Sequence, residues 1–185
     1  QRAGLSGFRH LYGLCLSMIQ PPISHNDPGV QALLNPGGIA LIGASTDPSR
    51  LGYSMARNLL HSGYHGAVYL INLHGGSLFG QPIYRSILEA PDPLDLAVLL
   101  IPAPGIPDVL RQCGERGVRA AVIAAGGFRE IGPAGAALEQ EIVCIARQYQ
   151  MRLLGPNCIG LIDTNLPLNV TFLPPPGPPI GELAF

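Results

Sequence analysis

From Gly37 onward, short apolar runs alternate with stretches of helical spacing. "GIALIG" (38–43) reads as a buried strand by its length and its turn-forming flanks, and "YSMARNLLHSG" (53–63) as a helix closed by Gly63 at a C-cap position. "AVYLIN" (67–72) is a second strand, followed by a loop and a short helix over "YRSILEA" (84–90). The near-continuous apolar run "LDLAVLLIPAP" (94–104) predicts a third strand covered on both faces. In the next helix Ile106, Val109, Leu110 and Cys113 fall at i, i+3, i+4 and i+7, with Pro107 tolerated in the first turn. "RAAVIAAGG" (119–127) is a fourth strand; Leu138, Ile142, Ile145 and Tyr149 form one stripe of a helix after Pro133; "MRLLGPN" (151–157) is a fifth strand. Strict alternation of this kind predicts an α/β fold, a Rossmann-like parallel sheet with helices on both faces.

The pattern fades at both ends. Residues 1–30 lack sustained periodicity and finish in the turn formers "QPPISHNDPG", which reads as a disordered leader, with Met18 a candidate natural start. The folded domain is expected over 31–172. Past Gly160 the pattern weakens, and "LPPPGPPIG" (173–181) reads as a proline-rich linker leading into "ELAF", the start of a truncated second domain.

Composition narrows the function classes. At 185 residues the chain suits one domain, and only 12% of residues are charged, about half the usual share for a soluble domain, so much of the surface is neutral or covered. Net charge is −1 with no basic run, which argues against nucleic acid and anionic membrane as partners. "LYGLCLSMI" is too short to span a bilayer, and a cytoplasmic location is expected. All eleven basic side chains other than histidine are arginines, so any anion contact must come from Arg, His or backbone N–H groups. Cys15, Cys113, Cys144 and Cys158 lack the paired spacing of zinc or redox sites and are expected as reduced thiols. His61 and His65 stand four apart, but Gly63 between them ends the helix, and no metal site is expected.

Ligands of open parallel sheets bind at the carboxyl ends of the strands. Four segments converge there: the loop Ser45 to Gly52, "NLHGG" after the second strand, "IPAPG" after the third and "GPNCIG" after the fifth. The first, within "ALIGASTDPSRLG", lacks G-x-G-x-x-G and is longer than the tight dinucleotide turn, yet it opens a helix whose N–H groups and dipole favour phosphate. Ser45, Thr46 and Ser49 add hydroxyls, Arg50 a charge, and Gly52 a close backbone approach; Gly52→Val is expected to abolish binding in a folded domain. An ordinary strand-to-helix turn shaped by Asp47-Pro48 is the plain alternative. The second strand ends in Asn72 rather than the acid usual for NAD, and His74 can reach a phosphate or stack on adenine, or simply face solvent. Ile101 to Pro104 offer an apolar wall for adenine or pantetheine, or a plain helix start. Asn157 and Cys158 lie on a Gly-flanked loop; with no His after His74 to serve as base, a backbone nest or ligand lining suits Cys158 better than nucleophilic catalysis.

Together "NPGGIALIGAS", "VYLINLHG", "PLDLAVLLIPAP", "AAGGFREIG" and "LLGPNCIGLID", in this order and spacing, resemble the CoA-binding domain of nucleoside-diphosphate-forming acyl-CoA synthetases. That superfamily includes the succinyl-CoA synthetase α subunit and the ADP-forming acetyl-CoA synthetases, and the resemblance runs from about Leu33 to Gly181. It implies coenzyme A held by Gly43, by Ser45, Thr46, Ser49, Arg50, Leu51 and Gly52, by Asn72 and His74, and by Ile101, Pro102, Ala103 and Pro104, with Asn157 and Cys158 near the thiol. The family's usual Asn-Pro-Lys appears here as Asn72, Leu73, His74, a weaker and pH-dependent stand-in. The resemblance also implies that ATP/ADP and Mg act through downstream ligase and ATP-grasp domains or subunits, where a phosphorylated His activates the acid. No catalytic residue is then expected in this chain. Two other readings stay open: a CoA-binding-like regulatory module of a Gcn5-like protein lysine acetyltransferase, and an NAD-binding redox-sensing Rossmann module.

Overall fold

The computed structural model describes residues 26–179 and 181. Expectations for residues 1–25, Met18 and "ELAF" lie outside the described residues. The chain order is α1 (Pro28–Leu34), β1 (Gly38–Ile42), α2 (Leu51–His61), β2 (Ala67–Ile71), β3 (Gly76–Leu78), β4 (Gln81–Tyr84), β5 (Leu96–Leu99), α3 (Ile106–Glu115), β6 (Ala120–Ile123), α4 (Pro133–Gln148), β7 (Arg152–Leu154), β8 (Ile162–Asp163) and β9 (Leu168–Asn169). Seven strands form one sheet in the order β3-β4-β2-β1-β5-β6-β7, parallel throughout except for β3. The chain leaves β1 toward β2 on one side and returns to β5 on the other, so the switch in strand order falls between β1 and β5.

Every residue of β1, β5 and β6 is buried, as their unbroken apolar runs predict. One face of the sheet packs Ile42, Leu99 and Ile123 with Ile106, Leu110 and Cys113 of α3 and Ile142 and Ile145 of α4. The other packs Leu41, Val98 and Val122 with Met55, Ala56 and Leu59 of α2. Both amphipathic stripes foreseen for α3 and α4 therefore face the sheet.

The Rossmann-like parallel sheet stands, with one antiparallel edge strand, while two expectations are corrected, the short helix and the leader boundary. "YRSILEA" is no helix: Tyr84 ends β4, which pairs with β2, and only Ile87–Glu89 make a 3₁₀ turn, started by the Ser86 hydroxyl accepting from the Leu88 N–H at 3.2 Å. The antiparallel edge strand is β3, which folds back on β4. The leader boundary at residue 30 cuts through α1. Asp27 caps that helix, its Oδ1 accepting from Gly29 N–H at 2.9 Å and Val30 N–H at 3.1 Å, while its Oδ2 accepts from Arg152 Nε at 3.1 Å. Gly29 is required there, since a Cβ would overlap Cγ of Arg152 and lie 2.9 Å from the Arg119 carbonyl oxygen.

At the other end the β8–β9 hairpin turns on Asp163, whose Oδ1 accepts from the N–H groups of Asn165 at 2.8 Å and Leu166 at 3.1 Å. It joins the α2 face through buried Leu168 and Val170. Asn58 on α2 secures the segment beyond by donating to the carbonyls of Thr171 (2.8 Å) and Leu173 (2.7 Å).

The Arg152 guanidinium, bonded to Asp27, holds that carboxyl down to about 2 from an ordinary 3.8, with the capping N–H groups assisting. A carboxyl depressed in the folded state contributes stability that is complete above its unfolded value and is lost as pH falls toward its folded one. Asp27→Asn should therefore lower the melting temperature at pH 7, and in thermal scans its deficit against wild type should shrink as pH drops from about 4 toward 2.

Candidate functional site

The carboxyl ends of β1, β2, β5, β6 and β7 form a continuous rim. At its centre Gly43 leaves β1 with φ +103°, and a Cβ there would overlap the Leu100 carbonyl oxygen at the end of β5. Gly52, in the first turn of α2, lies so close to β1 that a Cβ would overlap the Gly43 carbonyl oxygen. Gly52 thus sets helix-to-strand contact rather than ligand approach. A Val at this position is therefore expected to destabilise the domain as well as to alter the loop.

The loop between them carries its own anion. Asp47 Oδ1 accepts from the Ser49 N–H at 2.9 Å and the Ser49 hydroxyl at 2.7 Å, and its Oδ2 stands 3.5 Å from Arg50 Nε. The Ser49 hydrogen bonds, with Arg50 helping, hold the Asp47 carboxyl below its usual value. Ser45 Oγ accepts from the Asp47 N–H at 3.1 Å, and Thr46 is exposed. No side chain caps α2, whose N-cap is Arg50, and Leu51 is half exposed in its first turn. The end of an eleven-residue helix therefore meets the rim without an internal partner on that side.

The β2 loop is tied to this one by Asn72. Its Nδ2 donates to the Ala44 carbonyl at 2.7 Å and its Oδ1 accepts from the His74 N–H at 3.0 Å, so the amide ties the two loops together. The Asn72 N–H donates to the Tyr84 carbonyl at 2.9 Å, which sets the end of β4 alongside. His74 and Leu73 are exposed. Arg85, one residue beyond β4, lies against Gly75, where a Cβ would be 3.3 Å from Arg85 Nε. Arg85 was missed in the sequence because "YRSILEA" reads as a helix.

After β5, Pro102 and Pro104 are exposed and Ile101 is partly buried, whereas Ala103 is in the core. Its side chain faces the next turn, 3.0 Å from where a Gly127 Cβ would stand, so Ala103 does not line a ligand surface as expected. That turn, Gly126-Gly127, is a fifth rim segment beyond the four expected from the sequence. Its Gly127 N–H donates to Glu130 Oε1, which lowers the Glu130 carboxyl below its usual value. The β7 loop closes the rim: the Asn157 N–H donates to the Ala125 carbonyl at 3.0 Å, with Asn157 exposed at φ +55°.

Cys158 points inward, its Sγ donating to the Ile123 carbonyl at 3.4 Å, and burial pushes its thiol up. The raised thiol is not activated for nucleophilic attack. Cys113 and Cys158 are free thiols, as expected, and Cys15 lies outside the described residues. His61 Nδ1 lies 2.8 Å from the Arg57 carbonyl. Among the described residues no three His, Cys, Asp or Glu side chains group around a metal position, and no helix is long and apolar enough to cross a membrane.

Residues 38–164 match the family described as "CoA binding domain". The chain is 44% identical over 156 residues to the ADP-forming acetate–CoA ligase I subunit alpha of Pyrococcus furiosus, covering 80% of this chain and 34% of that protein. It is 41% identical over 145 residues to the ADP-forming acetate–CoA ligase of Methanocaldococcus jannaschii, covering 77% of this chain and 20% of the relative. Among solved structures, the acetyl-coenzyme A synthetase 1 of Ca. Korarchaeum cryptofilum, in complex with phosphate and ADP, superposes with a TM-score of 0.75 at 41% identity, over 80% of this chain and 31% of that one. The chain thus spans between 20% and 34% of the length of these proteins.

The contact at β1 makes a prediction about stability. Gly52→Ala should cost about 1–3 kcal/mol, the usual range for overpacking a filled site, and Gly52→Val more, as read from urea unfolding.

Proposed function

The chain belongs to the CoA-binding domain family, and we propose that it is the CoA-binding domain of an ADP-forming acyl-CoA synthetase of the acetate–CoA ligase type. The observation that carries the reading is the uncapped start of α2, held at the strand-order switch by Gly43 and Gly52 in a family of this ligand. The fit is chemical as well as positional. The α2 N-terminus and Arg50 suit the pyrophosphate, with the hydroxyls of Ser45, Thr46 and Ser49 around it. His74 flanks the nucleotide end, exposed Pro102 and Pro104 with Ile101 give pantetheine an apolar wall, and Asn157 marks the far end of the rim. Bound CoA supplies a thiol; this chain's residues bind and orient it.

In this reading the domain runs from Asp27 to Leu173, the residues secured by the α1 cap and by Asn58. Activation of the acid, with ATP/ADP, Mg and a phosphorylated His, is assigned to ligase and ATP-grasp domains or subunits, in the cytoplasm. The two other readings draw no support from the site or the relatives. Where an NAD domain would place an acid, the Asn72 side chain ties Ala44 to His74. The named relatives are ligases and synthetases, not acetyltransferases.

Calorimetric titration should give heat with CoA and none with NADH; the reverse result sinks the reading. Asp47 competes with an incoming phosphate for Ser49 and Arg50. Asp47→Asn should therefore tighten CoA binding, by up to about fivefold if the surface charge is worth about 1 kcal/mol.

A further inference from the structure

Three of the rim's turns differ in how their anion-binding capacity is used. In the β1 loop Asp47 engages Ser49 and Arg50, and in the β6 turn Glu130 engages the Gly127 N–H. The β2 loop has no such internal carboxylate. Beside it stands Arg85, exposed, with its stem against Gly75. Its guanidinium forms no ion pair among the described residues, and the nearby Glu89 carboxylate is engaged instead by the Arg85 backbone N–H at 3.0 Å.

The position of that cation is fixed by backbone. The Asn72 N–H to Tyr84 carbonyl bond and the β2–β4 register Ile71 to Tyr84 place residue 85 next to the loop that follows β2. Gly75 (φ +64°) and Gly76 (φ +111°) turn the chain away at once, and the absence of a side chain at Gly75 leaves room for the arginine stem. In doubly wound sheets the end of the second strand faces the adenosine ribose, and an arginine there accepts a phosphate carried by that ribose. CoA carries such a phosphate, on the ribose 3′ position. Its pyrophosphate, by contrast, suits the α2 N-terminus on the other side of Asn72.

Resting on the CoA reading above, we propose that Arg85 is a specificity-determining residue of this site: it takes the ribose 3′-phosphate and so separates CoA from dephospho-CoA. A guanidinium–phosphate contact is charge-assisted and frequently bidentate, which lysine would match only in part.

The test is calorimetry on the full chain with CoA and with dephospho-CoA, for wild type, Arg85→Ala and Arg85→Lys, with melting temperatures as a check on folding. Wild type should prefer CoA by about tenfold or more, the scale of one charge-assisted hydrogen bond. Arg85→Ala should lose that preference by weakening CoA alone, and Arg85→Lys should keep part of it. If Arg85→Ala binds both ligands as wild type does, or weakens both equally, the inference about Arg85 is overturned and the CoA reading stands. If wild type binds neither ligand, the CoA reading itself fails and the inference falls with it.

Discussion

The carboxyl edge of this domain depends on two backbones touching where most proteins would need side chains between them. Gly43 and Gly52 bring the end of β1 and the first turn of α2 into direct contact, and Gly43 does the same toward Leu100, just past β5. A side chain at either position would push the helix back from the sheet. With both absent, α2 begins level with the strand ends, and its dipole acts at the rim instead of behind it. Asn72 then joins the β2 loop to this centre through Ala44, so its position follows from the same contact.

The arginines divide by what they meet. Arg152 closes α1 onto the sheet through Asp27, Arg111 bridges Asp108 and Glu141 between α3 and α4, Arg116 reaches Asp92, and Arg129 pairs with Glu139. These pairs join segments distant in sequence or neighbouring helices and belong to the architecture. The more exposed of these, such as Arg111–Asp108, add little stability each, whereas Arg152–Asp27 is mostly buried; either way each pair removes a cation from any ligand. On the β1 and β2 side of the rim that leaves Arg50, held loosely at 3.5 Å by Asp47, and Arg85. In a chain without lysine, the placing of a few arginines carries most of the available positive charge.

The central strands were legible because burial on both faces leaves one solution for a run such as "LAVL". The β3–β4 hairpin was not, because its strands are short, largely exposed and interrupted by Pro82, and β4 is a strand by virtue of pairing with β2. A signal was present: Gly80 stands between the apolar residues Leu78 and Ile83, both of which are buried. Reading it would have placed Arg85 at the rim. Among site residues, loop positions followed from strand ends, but side-chain direction did not. Asn72, Ala103 and Cys158 all turn toward backbone or core, and no periodicity exists in a loop of a few residues to say so.

A hollow of about 540 Å³ opens on the opposite side of the domain, lined by Arg57, His61 and Phe79 with the β8–β9 hairpin and the proline-rich segment. It lies along the later turns of α2, away from the strand ends where ligands of such sheets bind. Its walls explain a different feature of the site. An N-cap side chain is worth about 0.5–2 kcal/mol to a helix, and α2 does without one. The helix is instead clamped at both ends, by Gly52 against Gly43 in front and by Asn58 on the carbonyls of Thr171 and Leu173 behind. The segment that follows the hairpin therefore helps hold in place a helix whose start carries no capping side chain.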